Sequence, residues 1–357
     1  MSTGLEVRCA IDRQQLDARG VEKGGVDMGT FRVAVVLAAA ALVAGLSTSV
    51  ASAGAEAFAC ATEPKVLAEF VSGQEIPESV TTDAQGNLYV SVGNTIRRRP
   101  PGGAFSVFAT LPLPINALGV KVGPDGCVYN ASTSLTATPG AYVWRICGPD
   151  SVEAYAELDQ SGAPNDLAFD ERGNLFVTDP VLARIWKVDR TGRAEIFVQH
   201  ALLAGTPDAP ALVFRALGVN GIALDQQQRA LFVSNTDQGS ILRVDLRSSH
   251  PTPSVFAQDG RLRGADGIAF DRDKTLWVAV NAQDALLTVN QRAQVRVHAQ
   301  GGLLDAPSSV VFGVTRRDRD ELYLMSSAFS RTLGLQPGTP HPALLSLRVG
   351  TPGLPLL

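Results

Sequence analysis

Apolar residues along this chain occur in short runs bounded by polar turn residues, not in long runs with helical spacing. One phrase recurs six times: an apolar run, a turn of the Asp-x-x-Gly kind, and a second run of the Leu-Tyr-Val kind. The copies are VTTDAQGNLYVSV (80–92), VKVGPDGCVYNAS (120–132), LAFDERGNLFVTD (167–179), IALDQQQRALFVSN (222–235), IAFDRDKTLWVAV (268–280) and VVFGVTRRDRDELYLMS (310–326). Each copy predicts two β-strands joined by a tight turn, and the spacing of roughly 40 to 55 residues is that of four-stranded propeller blades.

Every copy is followed by a third apolar run, and five copies are followed by a fourth. The sixth copy has no fourth run, but an unpaired run, KVLAEFV (65–71), precedes the first copy. We therefore predict an all-β fold: a six-bladed β-propeller of four-stranded blades over residues 65–350, with the ring closed by an N-terminal strand that completes the last blade. Closure removes an exposed sheet edge. A two-domain β protein is the alternative arrangement.

The residues before the repeats predict export. An apolar run at 33–46 has the length of a signal-peptide core, is too short to span a bilayer, and is followed by the small residues Ala51-Ser52-Ala53. We expect translation to start at Met28, so that residues 1–27 are a mis-called extension, 28–53 a signal peptide, 54–64 a lead-in and 351–357 a tail. A secreted or periplasmic protein with no stable membrane span is expected; an uncleaved N-terminal anchor is the alternative.

Composition narrows the partners. The 357 residues are 45% hydrophobic, enough for a large core, and the net charge of −4 provides no basic surface for nucleic acid. A small-molecule substrate is therefore expected, while the oligomeric state stays open. Three cysteines remain after cleavage, and Cys127 and Cys147 fall on nearby predicted strands, so they either form a disulfide or remain, with Cys60, as buried thiols.

One position of the repeat carries polar side chains in most copies. It lies five residues before the turn, where the first strand of each blade begins next to the channel of a propeller. We call it the channel position, and it is occupied in blade order by Glu78, Leu118, Asn165, Asn220, Asp266 and Ser308. Side chains at equivalent positions of the innermost strands are expected to point at a common centre.

Oxygen donors gathered in this way favour a cation. Two buried carboxylates would repel each other and lose hydration, and a divalent ion resolves both costs. Ligation by Glu78, Asn165, Asn220 and Asp266 is all oxygen, which predicts one divalent cation: Ca²⁺ first, with Mg²⁺ or Mn²⁺ as alternatives. The opposing interpretation is that Asn-Gly and Asp-Gly are ordinary turn signals. Glu78 is not a turn former, and Asn165 keeps the register without a following glycine.

These residues resemble the marks of a known family. Pro77-Glu78, Pro164-Asn165-Asp166, Asn220-Gly221 and Asp266-Gly267 are similar to those of the senescence-marker-protein/gluconolactonase/luciferin-regenerating-enzyme-like propeller hydrolases, over about 65 to 350. The resemblance implies that the four channel residues bind one catalytic metal and that the substrate is a lactone or an organophosphate ester. Members acting on sugar lactones tend to carry an arginine before the Asn-Asp pair. Gly162-Ala163-Pro164 stands here instead, so a less polar substrate is expected.

We expect Asp266 or Glu78 to act as the base or nucleophile beside the metal. Asp166 and Ser308 are candidate substrate contacts, and the loops 130–141, 200–219 and 327–342 are expected to wall the pocket. His200 and His341, in or beside these loops, could assist proton transfer, although a solvated loop histidine is the simpler interpretation. Two other functions remain open: a non-catalytic propeller that binds a ligand or protein, and an enzyme of the strictosidine-synthase-like type, which would need no metal ligands.

Overall fold

The computed structural model describes residues 63–112, 114–134, 139–212 and 216–355. Over these residues the chain forms 24 β-strands in six antiparallel four-stranded sheets, with one α-helix, α1 (Phe329–Thr332), and three short 3₁₀ helices. The predicted all-β, six-bladed β-propeller is confirmed. The proposed extension, signal peptide and lead-in up to residue 62, together with Cys60, lie outside the described residues.

Blades 1 to 3 each contain four strands that pair in chain order. Blade 1 consists of β2 (Pro77–Thr82), β3 (Leu88–Val92), β4 (Thr95–Arg99) and β5 (Ser106–Thr110). Blade 2 consists of β6 (Ile115–Val122), β7 (Val128–Ser134), β8 (Tyr142–Gly148) and β9 (Ser151–Glu157). Blade 3 consists of β10 (Leu167–Phe169), β11 (Leu175–Asp179), β12 (Arg184–Val188) and β13 (Ala194–Gln199).

Blades 4 and 5 repeat this order, and blade 6 takes its outer strand from the start of the described chain. Blade 4 consists of β14 (Val219–Leu224), β15 (Ala230–Asn235), β16 (Ser240–Asp245) and β17 (Pro253–Gln258). Blade 5 consists of β18 (Ala265–Phe270), β19 (Leu276–Val280), β20 (Ala285–Val289) and β21 (Val295–Gln300). Blade 6 consists of β22 (Pro307–Phe312), β23 (Glu321–Ser326), β24 (Ala343–Arg348) and β1 (Lys65–Glu69).

Strand β1 closes the ring as the sequence predicts. It pairs antiparallel with β24, with Lys65 opposite Ser346 and Glu69 opposite Ala343. The first strands of the blades contact one another in the cyclic order β2, β6, β10, β14, β18, β22 and back to β2. These six strands therefore surround the channel, and residues entering them at equivalent positions form a ring.

The core lies between neighbouring blades because each sheet is apolar on both faces. Alternate side chains of a strand point to opposite faces, so every blade packs against the one before and the one after. Between blades 4 and 5, for example, Phe232 lies edge-on to Phe256 at 5.1 Å and to Phe270 at 5.0 Å between ring centres. Similar aromatic contacts recur between other blades, so they are a packing feature of the repeat.

A disulfide joins Cys127 and Cys147, whose Cα atoms are 4.4 Å apart at the second and third strands of blade 2. Asp125 lies beside them, and among the described residues these three form the one compact cluster of three His, Cys, Asp or Glu donor atoms. Because both sulfurs are bonded to each other, this cluster is not a metal site. No helix within the described residues is long and apolar enough to cross a membrane.

Candidate metal centre in the channel

The channel position lies at or just before the start of the innermost strand in five blades, and in blade 2 Leu118 is the fourth residue of β6. Glu78, Asn220, Asp266 and Ser308 are each the second residue of their strand, and Asn165 lies two residues before β10. Four of the predicted side chains then line one small cavity. It is bounded by Glu78, Ser79, Gly119, Asn165, Asp166, Asp266, Gly267, Ser308 and Ser309.

This cavity is the size of a single ion. The cavity has a volume of about 10 Å³, which is the least volume that holds one water molecule. An organic substrate therefore cannot enter the ring itself and would have to lie above it. The sequence predicted that these side chains meet at the channel, but it could not supply this dimension.

Serine and threonine hydroxyl groups donate hydrogen bonds to backbone carbonyl oxygens at the channel position. Each hydroxyl reaches across from the preceding blade, and three of them also accept the N–H that follows a channel residue, in Ser79, Asp166 and Gly221. The bridges to carbonyl oxygens are Ser91 to Leu118 (2.6 Å), Thr178 to Asn220 (2.5 Å), Ser234 to Asp266 (2.8 Å) and Ser308 to Glu78 (2.6 Å). These four carbonyl oxygens thereby have partners, and the side-chain oxygens are what the ring can offer to a ligand.

Glycine follows the channel position where neighbouring inner strands approach most closely. A Cβ atom on Gly221 would collide with the carbonyl oxygen of Asp266, and one on Gly267 would collide with that of Ser308. The Asn-Gly and Asp-Gly pairs in the sequence therefore reflect close contact between blades. This is a different role from the left-handed turn conformation that such pairs suggest, because neither glycine has a positive φ.

Three carboxyl groups face the cavity, and the pKa of each is raised. Burial, and then the nearby charge of Asp166, raises the pKa of Glu78 to about 7. Burial followed by the charge of Glu78 raises the pKa of Asp266 well above its usual range. Burial also raises the pKa of Asp166, while the positive charge of Lys121 opposes the change. None of the residues that line the cavity is cationic, and this excess of acidic groups favours a cation.

The Asn220 amide lies beside the cavity and has an unsatisfied oxygen. Its side chain is 2% exposed, and its Nδ2 donates to Thr236 Oγ1 at 3.0 Å. Among the described residues its Oδ1 has no hydrogen-bond partner. A buried amide oxygen without a partner is costly, and a cation would satisfy it. Asn220 does not line the small cavity, so its part in the predicted ligand set remains a prediction.

Two backbone N–H groups hold the Asp166 carboxylate next to the channel position. Its carboxylate accepts the N–H groups of Leu167 at 2.8 Å and of Ile222 at 3.0 Å, and Ile222 lies two residues further along its strand than Asn220. These bonds tie blade 3 to blade 4. They also direct Asp166 into the channel, so its predicted contact with substrate gains no support from this geometry.

Neither histidine reaches the cavity. His200 caps the 3₁₀ helix Ala201–Leu203, where its Nδ1 accepts the N–H of Leu202 at 3.1 Å. His341 is exposed, and its backbone N–H donates to Asp305 Oδ2 at 2.8 Å. The expected help in proton transfer stays a prediction: His200 caps a helix, His341 is exposed, and neither lines the cavity.

The long loops at the same end of the blades are anchored by buried acidic residues. Asp237 accepts three backbone N–H groups of the loop 200–219, those of Thr206 (2.9 Å), Ala211 (2.7 Å) and Leu217 (2.8 Å). In the loop 327–342, Arg331 on α1 pairs with Asp284 at 2.8 Å and also with Asp305. Residues 135–138 and 213–215 of these loops lie outside the described residues. That the loops wall a substrate pocket remains a prediction.

A family model decides the relationship. The model of the SMP-30/gluconolactonase/LRE-like region matches residues 121–328, which is more than half of the chain. The chain belongs to this family. The match runs from the first strand of blade 2 to the second strand of blade 6, so it includes Asn165, Asn220 and Asp266 and leaves out Glu78.

Two curated relatives of this SMP-30/gluconolactonase/LRE-like chain are named as lactonases. The lactonase drp35 of Staphylococcus haemolyticus (strain JCSC1435) is 25% identical over 185 residues, which are 50% of this chain and 54% of that protein. The lactonase drp35 of Staphylococcus aureus (strain bovine RF122 / ET3-1) is 24% identical over 225 residues, 60% of this chain and 66% of that protein. The chain thus spans about half the length of the first of these relatives.

Solved structures of similar fold are more distant in sequence. A luciferin-regenerating enzyme has a TM-score of 0.60 at 15% identity and covers 82% of this chain and 99% of its own. A calcium-binding protein, regucalcin from Agrobacterium tumefaciens str. C58, has a TM-score of 0.57 at 16% identity, with 83% and 98% covered. A gluconolactonase from Xanthomonas campestris has a TM-score of 0.54 at 18% identity, with 81% and 89% covered. Likeness at these identities concerns the fold alone.

Proposed function

We propose that the protein is an exported, metal-dependent hydrolase of small lactone or ester substrates, phosphoesters included, with one divalent cation in the channel. The observation that carries this proposal is the ion-sized cavity, on which oxygen-bearing side chains from blades 1, 3, 5 and 6 converge. The raised pKa values of the three carboxyl groups support it, since burial disfavours the charged form of each of them.

The donor set favours Ca²⁺. Glu78, Asn165, Asn220 and Asp266 supply carboxylate and amide oxygens, and hard cations with flexible coordination prefer such ligands. The unsatisfied Oδ1 of Asn220 fits this use. A relative of the same fold is described as a calcium-binding protein, which supports the choice of ion. The lactonase names of the curated relatives support the reaction.

A divalent cation in this ring would supply electrostatic polarisation of a carbonyl or phosphoryl oxygen. Within the described residues the Glu78 carboxylate makes no side-chain hydrogen bond, which leaves its oxygens available to accept a proton from water beside the ion. Asp266 is held by Asn281 at 2.8 Å, so it is better placed to bind than to exchange a proton. Glu78 is therefore our first choice for the base, with Asp266 as the second.

The residues before Asn165 favour a substrate with little charge. Gly162, Ala163 and Pro164 offer no cationic group there, and a side chain at Gly162 would collide with the Asp179 carboxylate. An arginine at Gly162 would thus disturb the fold. A lactone or aryl ester without a sugar-acid carboxylate is the substrate class that this chain supports best.

Elemental analysis followed by a hydrolysis screen tests the proposal. The purified protein should contain about one equivalent of a divalent cation by the ligand count argued above, and chelator should abolish hydrolysis of lactones or aryl esters until Ca²⁺ is returned. Glu78→Gln should remove activity. Activity that is indifferent to chelator would refute the metal mechanism, and bound metal without turnover of any ester would favour a binding platform.

Export is tested separately. When the full-length chain is expressed in a host with a general secretion pathway, mass spectrometry of the extracytoplasmic protein should find an N-terminus shortly after Ala53. An intact chain that retains residues 28–53 in the cytoplasm would contradict the proposed signal peptide without affecting the proposed reaction.

A further inference from the structure

Blades 4 and 5 each place a polar side chain against the channel residue of the same blade. In both blades this side chain belongs to the residue directly after the second strand: Thr236 after β15 and Asn281 after β19. Thr236 Oγ1 accepts from Asn220 Nδ2 at 3.0 Å, and Asn281 Nδ2 donates to Asp266 Oδ2 at 2.8 Å. Both residues are almost fully buried, so water does not replace these contacts.

The main chain pins the two residues in the same way. The N–H of Thr236 donates to Gly218 at 3.0 Å, and the N–H of Asn281 donates to Gly264 at 2.9 Å. Each acceptor lies two residues before the channel residue of its blade. The two positions are therefore structurally equivalent, and each side chain starts from a backbone that cannot shift freely relative to the ligand it contacts.

Thr236 determines which end of the Asn220 amide is free. Its hydroxyl has one proton, which it donates to the carbonyl oxygen of Ala265 at 2.9 Å. Towards Asn220 it can therefore act only as an acceptor, so it must face the NH₂ group of the amide. The amide oxygen is left on the other side, buried and without a partner among the described residues.

Asn281 performs the corresponding task for a carboxylate. Its NH₂ group holds one oxygen of Asp266 and so fixes the rotation of the carboxylate. The Asn281 Oδ1 is also buried and has no partner among the described residues. An amide donor orients an anion without adding a charge that would compete with a cation, as a lysine or arginine here would do.

Blades 1, 3 and 6 lack this arrangement. The equivalent position is Gly93 in blade 1 and Pro180 in blade 3, neither of which has a side chain that can donate or accept a hydrogen bond. In blade 6 it is Ser327, whose hydroxyl donates to the carbonyl oxygen of Ala306 at 2.8 Å and contacts no channel side chain. The contact with a channel side chain is therefore found in two adjacent blades that both supply predicted ligands.

We infer that Thr236 and Asn281 are positioning residues that orient the Asn220 amide and the Asp266 carboxylate towards the cation. They set the affinity of the ring for its ion without touching the substrate. This inference rests on the proposed function, because it presumes a cation in the channel. It adds two residues that the repeat pattern of the sequence did not mark as part of the site.

Calorimetric titration of Ca²⁺ into the chelator-treated, full-length protein tests the inference. Thr236→Val and Asn281→Leu keep the size of each side chain, and each should weaken Ca²⁺ binding by roughly 10- to 100-fold, as expected for partners that orient metal ligands. Thr236→Ser should restore most of the affinity because it returns the hydroxyl. Ser327→Ala is the matched control: it removes a buried hydroxyl bonded to a main-chain carbonyl, and Ca²⁺ affinity should stay at the wild-type value.

A second readout separates positioning from folding. In chelator, Thr236→Val should still unfold in one cooperative transition, and at saturating Ca²⁺ its hydrolytic rate should recover. Ca²⁺ affinities of Thr236→Val and Asn281→Leu equal to that of Ser327→Ala would overturn the inference. The proposed function would survive that result if the wild type binds Ca²⁺ and Glu78→Gln does not. A wild-type protein that takes up no divalent cation would overturn both.

Discussion

Replacing Glu78 by glutamine should stabilise the metal-free protein and should remove a carboxylate ligand of the proposed cation. Glu78 faces the ion-sized cavity, and burial with the charge of Asp166 raises its pKa to about 7 from an ordinary value of 4.5. Above neutral pH the group is ionised in the folded chain, and this ionisation lowers the stability of the fold. Glutamine has nearly the same shape and no charge, so Glu78→Gln removes that cost.

The magnitude follows from linkage between protonation and folding. A carboxyl group with a raised folded-state pKa binds more protons when folded than when unfolded, so its contribution to stability is fully present below pH 4.5 and is lost as the pH rises through 7. The pKa difference corresponds to about 3 kcal/mol at pH 8. At pH 5 the remaining difference is below about 1 kcal/mol, because both states are then largely or partly protonated.

Thermal unfolding in chelator at pH 5 and pH 8 measures this effect. The Glu78→Gln variant should melt higher than the wild type at pH 8, by roughly 2 °C for each kcal/mol in a domain of this size, and nearly equally at pH 5. Addition of Ca²⁺ should raise the melting temperature of the wild type much more than that of the variant. A variant less stable than the wild type at pH 8 in chelator would refute the electrostatic argument.

Three further predictions concern other parts of the molecule. Replacing both Cys127 and Cys147 by serine should lower the free energy of unfolding by about 3 kcal/mol, measured by denaturant titration under oxidising conditions, since their bridge closes a loop with a sequence separation of 20; Ca²⁺ affinity should not change, and a change would show that blade 2 is coupled to the ring. Gly221→Ala should lower stability by roughly 1–3 kcal/mol because its Cβ meets the Asp266 carbonyl, whereas Gly260→Ala, with open space around it, should be nearly neutral in the same unfolding assay. Because a protonated Glu78 cannot bind a cation, calorimetric Ca²⁺ affinity should fall as the pH is lowered from about 8 to 6. A Ca²⁺ affinity that does not change over that pH range would exclude Glu78 as a ligand.

The ring of blades was predictable because it depends on local patterns that repeat. The six copies of the strand-turn-strand phrase and the unpaired run at 65–71 were enough to predict four-stranded blades and the pairing of β1 with β24. The convergence of Glu78, Asn165, Asp266 and Ser308 on one cavity then required only the rule that equivalent positions lie at equivalent radii.

The contacts around the ring were not predictable in the same way. Thr236 and Asn281 occupy the first position after a second strand, and nothing in their local sequence distinguishes them from turn residues. Their significance comes from the channel residue opposite, some fifteen positions earlier. The same position holds Ser327 in blade 6, so a hydroxyl there does not by itself mark a blade whose channel residue has a partner. The capping role of His200 likewise depends on the turn that follows it and not on its residue type.

The energetic cost of the channel is itself an argument about function. A propeller that needed its axis only for packing could fill the channel position with apolar residues, as blade 2 does with Leu118. The chain instead places Glu78, Asp166 and Asp266 near one another, the first two partly buried and the third fully, and burial raises the pKa of each. Hydroxyl bridges satisfy the neighbouring carbonyls, so the cost is confined to the side-chain oxygens that a cation would bind. In a metal site we expect the free-energy cost of burying charge to fall on the side chains that bind the ion. A stabilising Glu78→Gln substitution would measure that cost directly.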